Sequence, residues 1–394
     1  MIALDLSRLL SRAGCVTPTG IDRVELAYAQ YLNGSNYAHC FAARNTIGGI
    51  GLLPATCVAQ FISELASLWR DGAAPGQMSR IISGARQLQR AALFGGRALG
   101  RELRRASTPP VYLLVSHQHL DSARSIARLK RTLGMRFVCL IHDLIPLEFP
   151  NLTRIRQTRR HRRRVATVAA FADAAIVNSV ATSAALAARI SPNVRKVPII
   201  VAPLGADLPN SPTADLSEGA YFVCVGTIEA RKNHRLLLDL WQRLAEELGH
   251  QAPLLRLIGQ SGFGSERIAR GVAGLRGLVV EHPDLPDVEM AAMLRAARAL
   301  LMPSLAEGFG LPVLEALTLG VPVLCSDLPA LRESGAGVPE YLDPADIAAW
   351  HQAILDYTSD SPRRGAQFAR LASWRPPRWA HHFAIIDQLI TGFG

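Results

Sequence analysis

A chain of 394 residues is long enough for two domains, each with a hydrophobic core of its own. Hydrophobic residues make up 49% of the chain and charged residues 19%, a globular composition that excludes a disordered protein. The formal net charge of +11 favours an anionic partner, such as a phosphorylated ligand, an anionic membrane surface or a nucleic acid.

The amino terminus predicts a strand and then a candidate phosphate-facing turn. Residues 2–6 form a short apolar run that is typical of a strand, and a polar turn follows at 17–20. Apolar side chains with helical spacing begin at Ile21, so Gly20 stands just before a predicted helix. A glycine at that point is either an ordinary turn residue or a place where the backbone approaches a phosphate closely.

Two basic segments lie in the amino-terminal half of the chain. Residues 70–105 have a helical pattern in which arginines alternate with apolar side chains, and residues 154–164 are mostly arginine. Each is interpreted either as a solvated helix face or as a surface that lies on an anionic membrane. Aromatic residues are only 6% of the chain and form no stacking pattern with the arginines, so nucleic-acid binding is not expected.

The rest of this half predicts parallel strands with a polar pair at the end of one of them. Apolar runs at 111–116, 136–141 and 174–178 alternate with helical patterns. The run 136–141 leads directly into His142-Asp143. Because open α/β sheets bind ligands at the carboxyl ends of their strands, His142 is a candidate site residue.

A stretch rich in Pro, Gly, Ser and Asp at 206–219 is the best candidate for a domain linker. We predict an amino-terminal domain over 1–205 and a carboxyl-terminal domain over 220–374. Strands alternate with helices in both, which favours two doubly wound parallel sheets. The final segment, 375–394, is predicted to form a helix that packs back on the first domain.

The second domain opens with a candidate diphosphate site. The sequence Gly-Thr-Ile-Glu-Ala-Arg-Lys-Asn at 226–233 follows a predicted buried strand and opens a helix. Arg231 and Lys232 are adjacent cations at a helix start, where they oppose the helix dipole. A bound diphosphate would explain them, because a guanidinium fork and an ammonium suit two phosphoryl groups. A solvated turn is the alternative.

The richest stretch is 304–316, where Glu307 and Glu315 flank Gly-Phe-Gly-Leu-Pro. An apolar strand precedes it and a helix follows, with Pro312 expected as the first helical residue. Such a helix start presents free backbone N–H groups to an anion. The flanking carboxylates accept hydrogen bonds from hydroxyls. A phosphate together with hydroxyls indicates a nucleotide sugar.

These motifs resemble those of a known family. Glu307-x7-Glu315 resembles the E-x7-E signature of retaining glycosyltransferases of the glycogen-synthase and sucrose-synthase kind. Gly226 with Arg231-Lys232-Asn233 is similar to their G-x4-R-K-N segment, and Thr19-Gly20-Ile21-x-Arg23-Val24 to their amino-terminal loop. His142-Asp143-Leu144-Ile145-Pro146 resembles the H-D-x-x-P of members from bacterial surface-polysaccharide synthesis. The resemblance implies the GT-B fold, an α/β architecture of two Rossmann-like domains that face each other across a cleft.

The resemblance also implies a role for each matching residue. Glu315 would hold the ribose diol, and Glu307 would hydrogen-bond hydroxyls of the donor sugar. Arg231 and Lys232 would neutralise the departing diphosphate, and His142 would touch the sugar near the reacting centre. The catalytic set is therefore Glu307, His142, Arg231 and Lys232. The donor-binding set is Gly20, Gly226, Arg231, Lys232, Glu307, Glu315 and the backbone N–H groups of Phe309, Gly310 and Leu311.

We expect a retaining hexosyltransferase that moves a sugar from a nucleoside diphosphate donor to a lipid-linked or polysaccharide acceptor in cell-surface polysaccharide synthesis. The resemblance favours mannose from GDP-mannose and an exopolysaccharide or O-antigen product. No D-x-D triplet and no zinc-ligand spacing occurs in the sequence, so neither a metal nor a cofactor is expected. The expected location is the cytoplasm, with residues 70–105 and 154–164 as a surface for the inner face of the cell membrane.

Two other classes of function remain open at this point. A nucleotide-sugar epimerase on the same fold needs an acid and a base for proton transfer, and only His142-Asp143 offers itself. A non-enzymatic binder of anions or nucleic acid would use the net charge of +11 alone.

Overall fold

The computed structural model describes residues 1–190, 196–209, 220–275 and 277–393. The chain divides into two compact units. The first comprises Met1–Leu147, Ile155–Leu204 and Trp379–Gly394, and the second comprises Glu148–Arg154 and Gly205–Arg378. Most of the linker predicted at 206–219 lies outside the described residues, which leave out 210–219.

The first unit is built on a seven-stranded sheet with the strand order β3-β2-β1-β4-β5-β6-β7. Neighbouring strands are parallel except β2 and β3, which form an antiparallel hairpin at one edge. Helices cover the sheet, so its central strands are almost entirely buried and mostly apolar. The strands are β1 (Ile2–Asp5), β2 (His39–Arg44), β3 (Ile50–Leu53), β4 (Val111–Leu114), β5 (Arg136–Ile141), β6 (Ala174–Val177) and β7 (Ile199–Val201).

The second unit is built on a six-stranded sheet in which all the described pairings between strands are parallel, in the order β10-β9-β8-β11-β12-β13. The chain order reverses between β8 and β11, which makes that position a topological switch point. The two parallel α/β sheets predicted from the sequence are thus confirmed. The strands are β8 (Tyr221–Val225), β9 (Leu254–Ile258), β10 (Val279–His282), β11 (Leu300–Met302), β12 (Val323–Ser326) and β13 (Glu340–Leu342).

Helices connect the strands and bury their apolar faces against the sheets. In chain order they are α1 (Ser7–Ser11), α2 (Gly20–Gly34), α3 (Ala55–Asp71), α4 (Gln77–Phe94), α5 (Gly96–Leu103), α6 (Ala123–Leu133), α7 (Ile145–Glu148), α8 (Ile155–Phe171), α9 (Val180–Ala187), α10 (His234–Leu248), α11 (Glu266–Gly274), α12 (Asp287–Ala296), α13 (Leu311–Thr318), α14 (Pro329–Gly335), α15 (Ile347–Thr358), α16 (Pro362–Ser373) and α17 (Trp379–Thr391). Short 3-10 turns lie at Pro150–Leu152, Ala230–Lys232 and Gly249–Gln251.

Helix α17 packs within the first unit although it lies at the far end of the chain. The hydroxyl of Tyr31 on α2 donates a hydrogen bond of 2.6 Å to the carboxylate of Asp387. The buried imidazole of His382 lies 2.8 Å from the hydroxyl of Tyr28. These contacts tie the last helix to α2.

Three local predictions differ from the structure. The basic segment 70–105 is not one helical stretch, because Gly72 and Gly76 adopt positive φ angles between α3 and α4. The sequence predicts that the basic segment 154–164 leads into a helix at 165–171, but residues 155–164 already form the first part of α8. Pro312 is the second residue of α13, since Leu311 already has helical geometry after Gly310. Among the described residues, no helix combines the length and the apolar character that crossing a membrane requires.

Candidate functional site

The donor residues predicted in the second unit lie on two loops that leave neighbouring strands. Strand β8 leads into Gly226 and the turn Ala230–Lys232, and β11 leads to Glu307. Because the carboxyl ends of adjacent parallel strands meet at one edge of a sheet, the two loops touch. The N–H of Leu305 donates to the Arg231 carbonyl at 2.7 Å, and Arg231 Nη1 donates to the Ala306 carbonyl at 3.2 Å.

A compact ion cluster joins these loops. Glu307 accepts from Lys232 Nζ at 2.7 Å and lies 3.1 Å from Arg231 Nη1. Arg231 Nε in turn lies 2.6 Å from the carboxylate of Glu229. The Glu307 and Lys232 side chains are only 7% and 8% exposed. Burial alone raises the pKa of Glu307, but Lys232 and Arg231 outweigh it and hold that pKa at about 2.

This cluster explains in another way why two adjacent cations stand at the start of a helix. Arg231 and Lys232 belong to a 3-10 turn before α10, and the carboxylates of Glu229 and Glu307 already compensate them. A diphosphate is therefore not needed to explain their position. Glu229 stands inside the Gly-Thr-Ile-Glu-Ala-Arg-Lys-Asn motif, so its charge was visible in the sequence.

Glycines allow the loops around this cluster to pack closely. Gly226 has a φ of +139°, and a Cβ there would lie 3.3 Å from the Cε of Lys232. A Cβ on Gly259 would lie 2.2 Å from the Gly226 carbonyl oxygen. The loop 259–264 also pairs with the first loop, since the Ile228 N–H donates to the Gln260 carbonyl at 2.9 Å. This glycine-rich stretch therefore supports the ion cluster, a role that the sequence analysis missed.

The other predicted donor residues follow on α13. Gly310 precedes this helix with a φ of +93°, and a Cβ there would lie 2.4 Å from Leu331 Cδ2, so only glycine fits. Leu311 is the first helical residue, and Phe309 is 5% exposed, so its side chain packs inward. Glu315 lies on the same helix and is also 5% exposed. Eight helical residues follow Gly310, of which Pro312 has no N–H, and the N–H groups of Val313 and Leu314 donate to the Gly310 carbonyl at 3.0 and 3.3 Å.

Gly20 lies in the first unit, at the first residue of α2. The turn before it is held by an ion cluster in which the buried carboxylate of Asp22 lies 2.6 Å from Arg8 Nε and 3.1 Å from Arg12 Nε. Asp22 also accepts from the backbone N–H of Thr19 at 2.8 Å. Thr19 and Asp22 form a helix capping box, and their spacing is a signal for the helix start that is already present in the sequence.

His142 lies beyond β5 in the first unit and is 6% exposed. Its Nε2 is 2.8 Å from the Val115 carbonyl oxygen, so this nitrogen carries the proton and Nδ1 is left as an acceptor. Burial lowers the pKa of His142 to about 4, and the ring is therefore neutral near pH 7. Its backbone N–H donates to His117 Nε2 at 3.2 Å, and Asn178 Nδ2 donates to its carbonyl at 3.0 Å.

Further buried polar side chains surround His142. The rings of His117 and His161 meet edge to face with centroids 5.1 Å apart, and Arg164 Nη1 lies 3.3 Å from His161 Nδ1. Beneath the end of β1, burial and the nearby Asp5 raise the pKa of Glu25 to about 8. The sequence marks His161 and Arg164 only as part of the basic segment 154–164 and gives no signal for His117 or Glu25, because these side chains come from separate segments that meet only in the folded unit.

The structure thus brings part of the predicted set together. Gly226, Arg231, Lys232 and Glu307 form one cluster, and the four donor residues of 309–315 follow Glu307 along the chain. Gly20 and His142 belong to the first unit. There, the charges of Arg8 and Asp22 act on the pKa of His142, so the turn before Gly20 lies near that ring.

Comparison with known proteins agrees with this geometry. Residues 219–360 match the family model described as "Glycosyl transferases group 1". Over 162 residues, the chain is 36% identical to the O-antigen chain mannosyltransferase B of Escherichia coli, a match that covers 39% of this chain and 42% of that protein. The chain spans less than half of the length of the curated relatives that it matches.

Two solved structures resemble the whole chain. Sucrose-phosphate synthase from Thermosynechococcus elongatus has a TM-score of 0.67 at 16% identity and covers 99% of this chain and 98% of its own. Anabaena HepE in complex with UDP and glucose has a TM-score of 0.66 at 15% identity, with 99% and 100% coverage. These similarities confirm the predicted GT-B fold.

Proposed function

We propose that this protein is a retaining, metal-independent glycosyltransferase. It would move a hexose from a nucleoside diphosphate sugar to a lipid-linked or polysaccharide acceptor in cell-surface polysaccharide synthesis. The observation that carries this proposal is the buried cluster of Glu307 with Lys232 and Arg231 at the end of β8 and β11. It lies inside the segment 219–360 that matches the glycosyltransferase family model.

The cluster suits a reaction in which a diphosphate leaves. Cleavage of a glycosyl–phosphate bond develops negative charge on the diphosphate, and fixed cations stabilise that charge more in the transition state than before it. Lys232 and Arg231 are fixed by Glu307 before any donor arrives, so little reorganisation is needed. We propose that the diphosphate shares these cations and that Glu307 accepts hydrogen bonds from the sugar hydroxyls. The helix start after Gly310 would bind the distal phosphate through backbone N–H groups.

Mannose is the donor sugar that we propose to test first. This proposal is supported by the similarity of the chain to the O-antigen chain mannosyltransferase B of E. coli, which covers 39% of this chain. HepE, which shares the fold, was solved with UDP and glucose, so UDP-glucose is the natural competitor in any test. Within the first unit, His142 presents Nδ1 as a hydrogen-bond acceptor, which suits a sugar hydroxyl.

The direct test is a donor screen followed by turnover. We expect GDP-mannose to raise the melting temperature of the purified chain more than UDP-glucose does, because only a bound ligand stabilises the folded state. The preferred donor should then yield a product with the anomeric configuration of the donor, measured by NMR, in the presence of a chelator. Glu315→Gln should weaken donor binding by roughly ten- to a hundredfold, as expected for the loss of a charge-assisted hydrogen bond.

An exposed acid on α10 provides the matched control. Glu246→Gln makes the same chemical change outside the cluster and should leave donor binding unaltered. The proposal is wrong if no nucleotide sugar shifts the melting temperature and none is consumed with any acceptor. Inversion at the anomeric carbon, or loss of turnover with the chelator, would overturn only the corresponding part of it.

A further inference from the structure

One corner of the first unit exposes large apolar side chains. Ile47 and Phe94 are 80% and 83% exposed, more than any other large hydrophobic residue that the structure describes. Exposed apolar side chains are common singly, whereas exposed apolar side chains that are grouped together mark interaction sites. Ile47 is in the turn between β2 and β3, and Phe94 is the last residue of α4.

The turn and the helix end are packed on each other. Asn45 Nδ2 donates to the Ala92 carbonyl at 3.2 Å, and the Leu52 N–H donates to the Gly95 carbonyl at 3.2 Å. A Cβ on Gly51 would lie 2.0 Å from the Ala92 oxygen, so the backbones are in direct contact. The turn that carries Ile47 is therefore held against the end of α4. We call this region the Ile47–Phe94 corner.

Arginines lead to this corner along two helices. Arg86 and Arg90 are exposed and precede Phe94 at intervals of four residues, so the three share one side of α4. Arg97 and Arg101 are exposed and four residues apart on α5. The segment 72–101 contains five arginines and no Asp or Glu.

The nearest acids along the chain do not neutralise these four arginines. Asp71 is 2.8 Å from Arg70, Glu64 is 3.6 Å from Arg80, the fifth arginine of the segment, and Glu102 is 2.8 Å from Arg105. None of the described ion pairs involves Arg86, Arg90, Arg97 or Arg101. The corner therefore combines two protruding apolar side chains with a positive field.

We propose that the Ile47–Phe94 corner docks on an anionic lipid bilayer. Phe94 and Ile47 would enter the interface, where aromatic side chains are favoured, and the four arginines would face the lipid headgroups. Each basic residue near an anionic surface contributes roughly a fivefold gain in affinity. The proposal deepens the proposed function, because a lipid-linked acceptor would be met at such a surface. The docking itself requires neither donor nor acceptor.

The second basic segment, 154–164, fits a bilayer less well. Arg160 lies 2.9 Å from Asp121, and Arg164 is buried beside His161. Arg154 stacks on the ring of Phe263, with its guanidinium carbon 5.2 Å from the ring centre. Part of its charge is thus already engaged within the protein. Four arginines on α8 are exposed and take part in none of the described ion pairs: Arg156, Arg159, Arg162 and Arg163. The adjacent pair Arg162 and Arg163 provides a control with the same change of charge.

The test is flotation of the full chain with vesicles of phosphatidylcholine alone and of phosphatidylcholine mixed with phosphatidylglycerol. We expect binding to the anionic vesicles at low salt and weaker binding at high salt. Replacing Arg90 and Arg97 together by Gln should lower the affinity about twenty-five-fold, from the contribution of two charges. Replacing Ile47 and Phe94 together by Ser should also lower it, whereas Arg162→Gln with Arg163→Gln should lower it less than threefold.

All four positions of the two corner variants are on the surface, so the fold should be retained, which the melting temperature and circular dichroism will verify. The proposal is overturned if the wild-type chain does not float with anionic vesicles. It is also overturned if the α8 variant loses binding and the corner variants keep it, or if the corner variants bind like the wild type. Sugar transfer to a water-soluble acceptor should be the same in the corner variants, so these outcomes are separate from failure of the proposed activity.

Discussion

Replacing Glu307 by glutamine should destabilise the second unit and increase its response to nucleoside diphosphates. The carboxylate lies 2.7 Å from Lys232 and 3.1 Å from Arg231, and the change leaves both cations without it. Folding lowers the pKa of Glu307 from 4.5 to about 2, which corresponds to about 3 kcal/mol of stability at neutral pH. Removing one partner of a buried ion pair typically costs about 3–5 kcal/mol, which agrees with the value from the pKa.

The same pKa fixes the pH at which this contribution disappears. Because the folded-state pKa of Glu307 is depressed, its contribution is complete above the ordinary value of 4.5 and is lost as the pH falls towards about 2. The difference in free energy of unfolding between wild type and Glu307→Gln should therefore shrink in this window. Above pH 5 the difference should be constant.

Urea unfolding of both proteins at a series of pH values measures this difference. Glu229→Gln is the control, because Glu229 is 26% exposed and pairs only with the edge of the cluster, so its loss should cost about 1 kcal/mol or less. A nucleoside diphosphate should stabilise Glu307→Gln more than the wild type, because it supplies the anion that the variant lacks. Equal stability of wild type and Glu307→Gln at pH 7 would refute this account of the cluster.

The remaining predictions concern other parts of the fold. Gly310→Ala should lower the free energy of unfolding by about 1–3 kcal/mol, because φ is +93° and the new Cβ would meet Leu331. Gly320→Ala is the control, since its φ is +78° but no atom lies within 4 Å of the new Cβ. In the same urea titration it should lower the free energy of unfolding by less. Burial lowers the pKa of His142, His234 and His382 to about 4. Below pH 6.5 the unfolded chain binds protons at these residues and the folded chain does not, so the free energy of unfolding should fall as the pH is lowered towards 4. Urea midpoints at a series of pH values measure this loss. A constant midpoint between pH 6.5 and 4.5 would contradict that prediction.

The parts of this protein that the sequence predicted are those with local signals. The stretch 304–316 carries its own strand, glycine and proline signals, so the loop and helix around Gly310 were located to within one residue. The strands β1, β5 and β6 were likewise found, with ends that differ by one residue or less. In these elements the pattern of the chain and the packing of the sheet favour the same conformation.

What the sequence did not reveal depends on contacts between distant segments. The pairing of Glu307 with Lys232 joins residues 75 positions apart, and nothing local indicates it. The hairpin of β2 and β3 has only a weak sequence signal, because its two short strands flank a Gly-Gly turn and do not alternate strongly between apolar and polar residues. No local signal marks His117, which meets the ring of His142 only in the fold, and His161, a member of the basic segment 154–164, packs against His117 for the same reason.

The pKa values also bear on the alternative of an epimerase, which needs a base that is unprotonated near pH 7 and able to take up a proton. Lys232 and Arg231 hold the pKa of Glu307 at about 2, so its carboxylate is a weak base in this environment. The pKa of His142 is lowered to about 4, and its Nε2 is engaged by the Val115 carbonyl. Glu25 has a pKa of about 8, but it is fully buried and its Oε1 accepts from the Leu9 N–H. Hydrogen bonding and charge stabilisation suit Glu307 and His142 better than proton abstraction, and those are the tasks that glycosyl transfer from a nucleoside diphosphate requires.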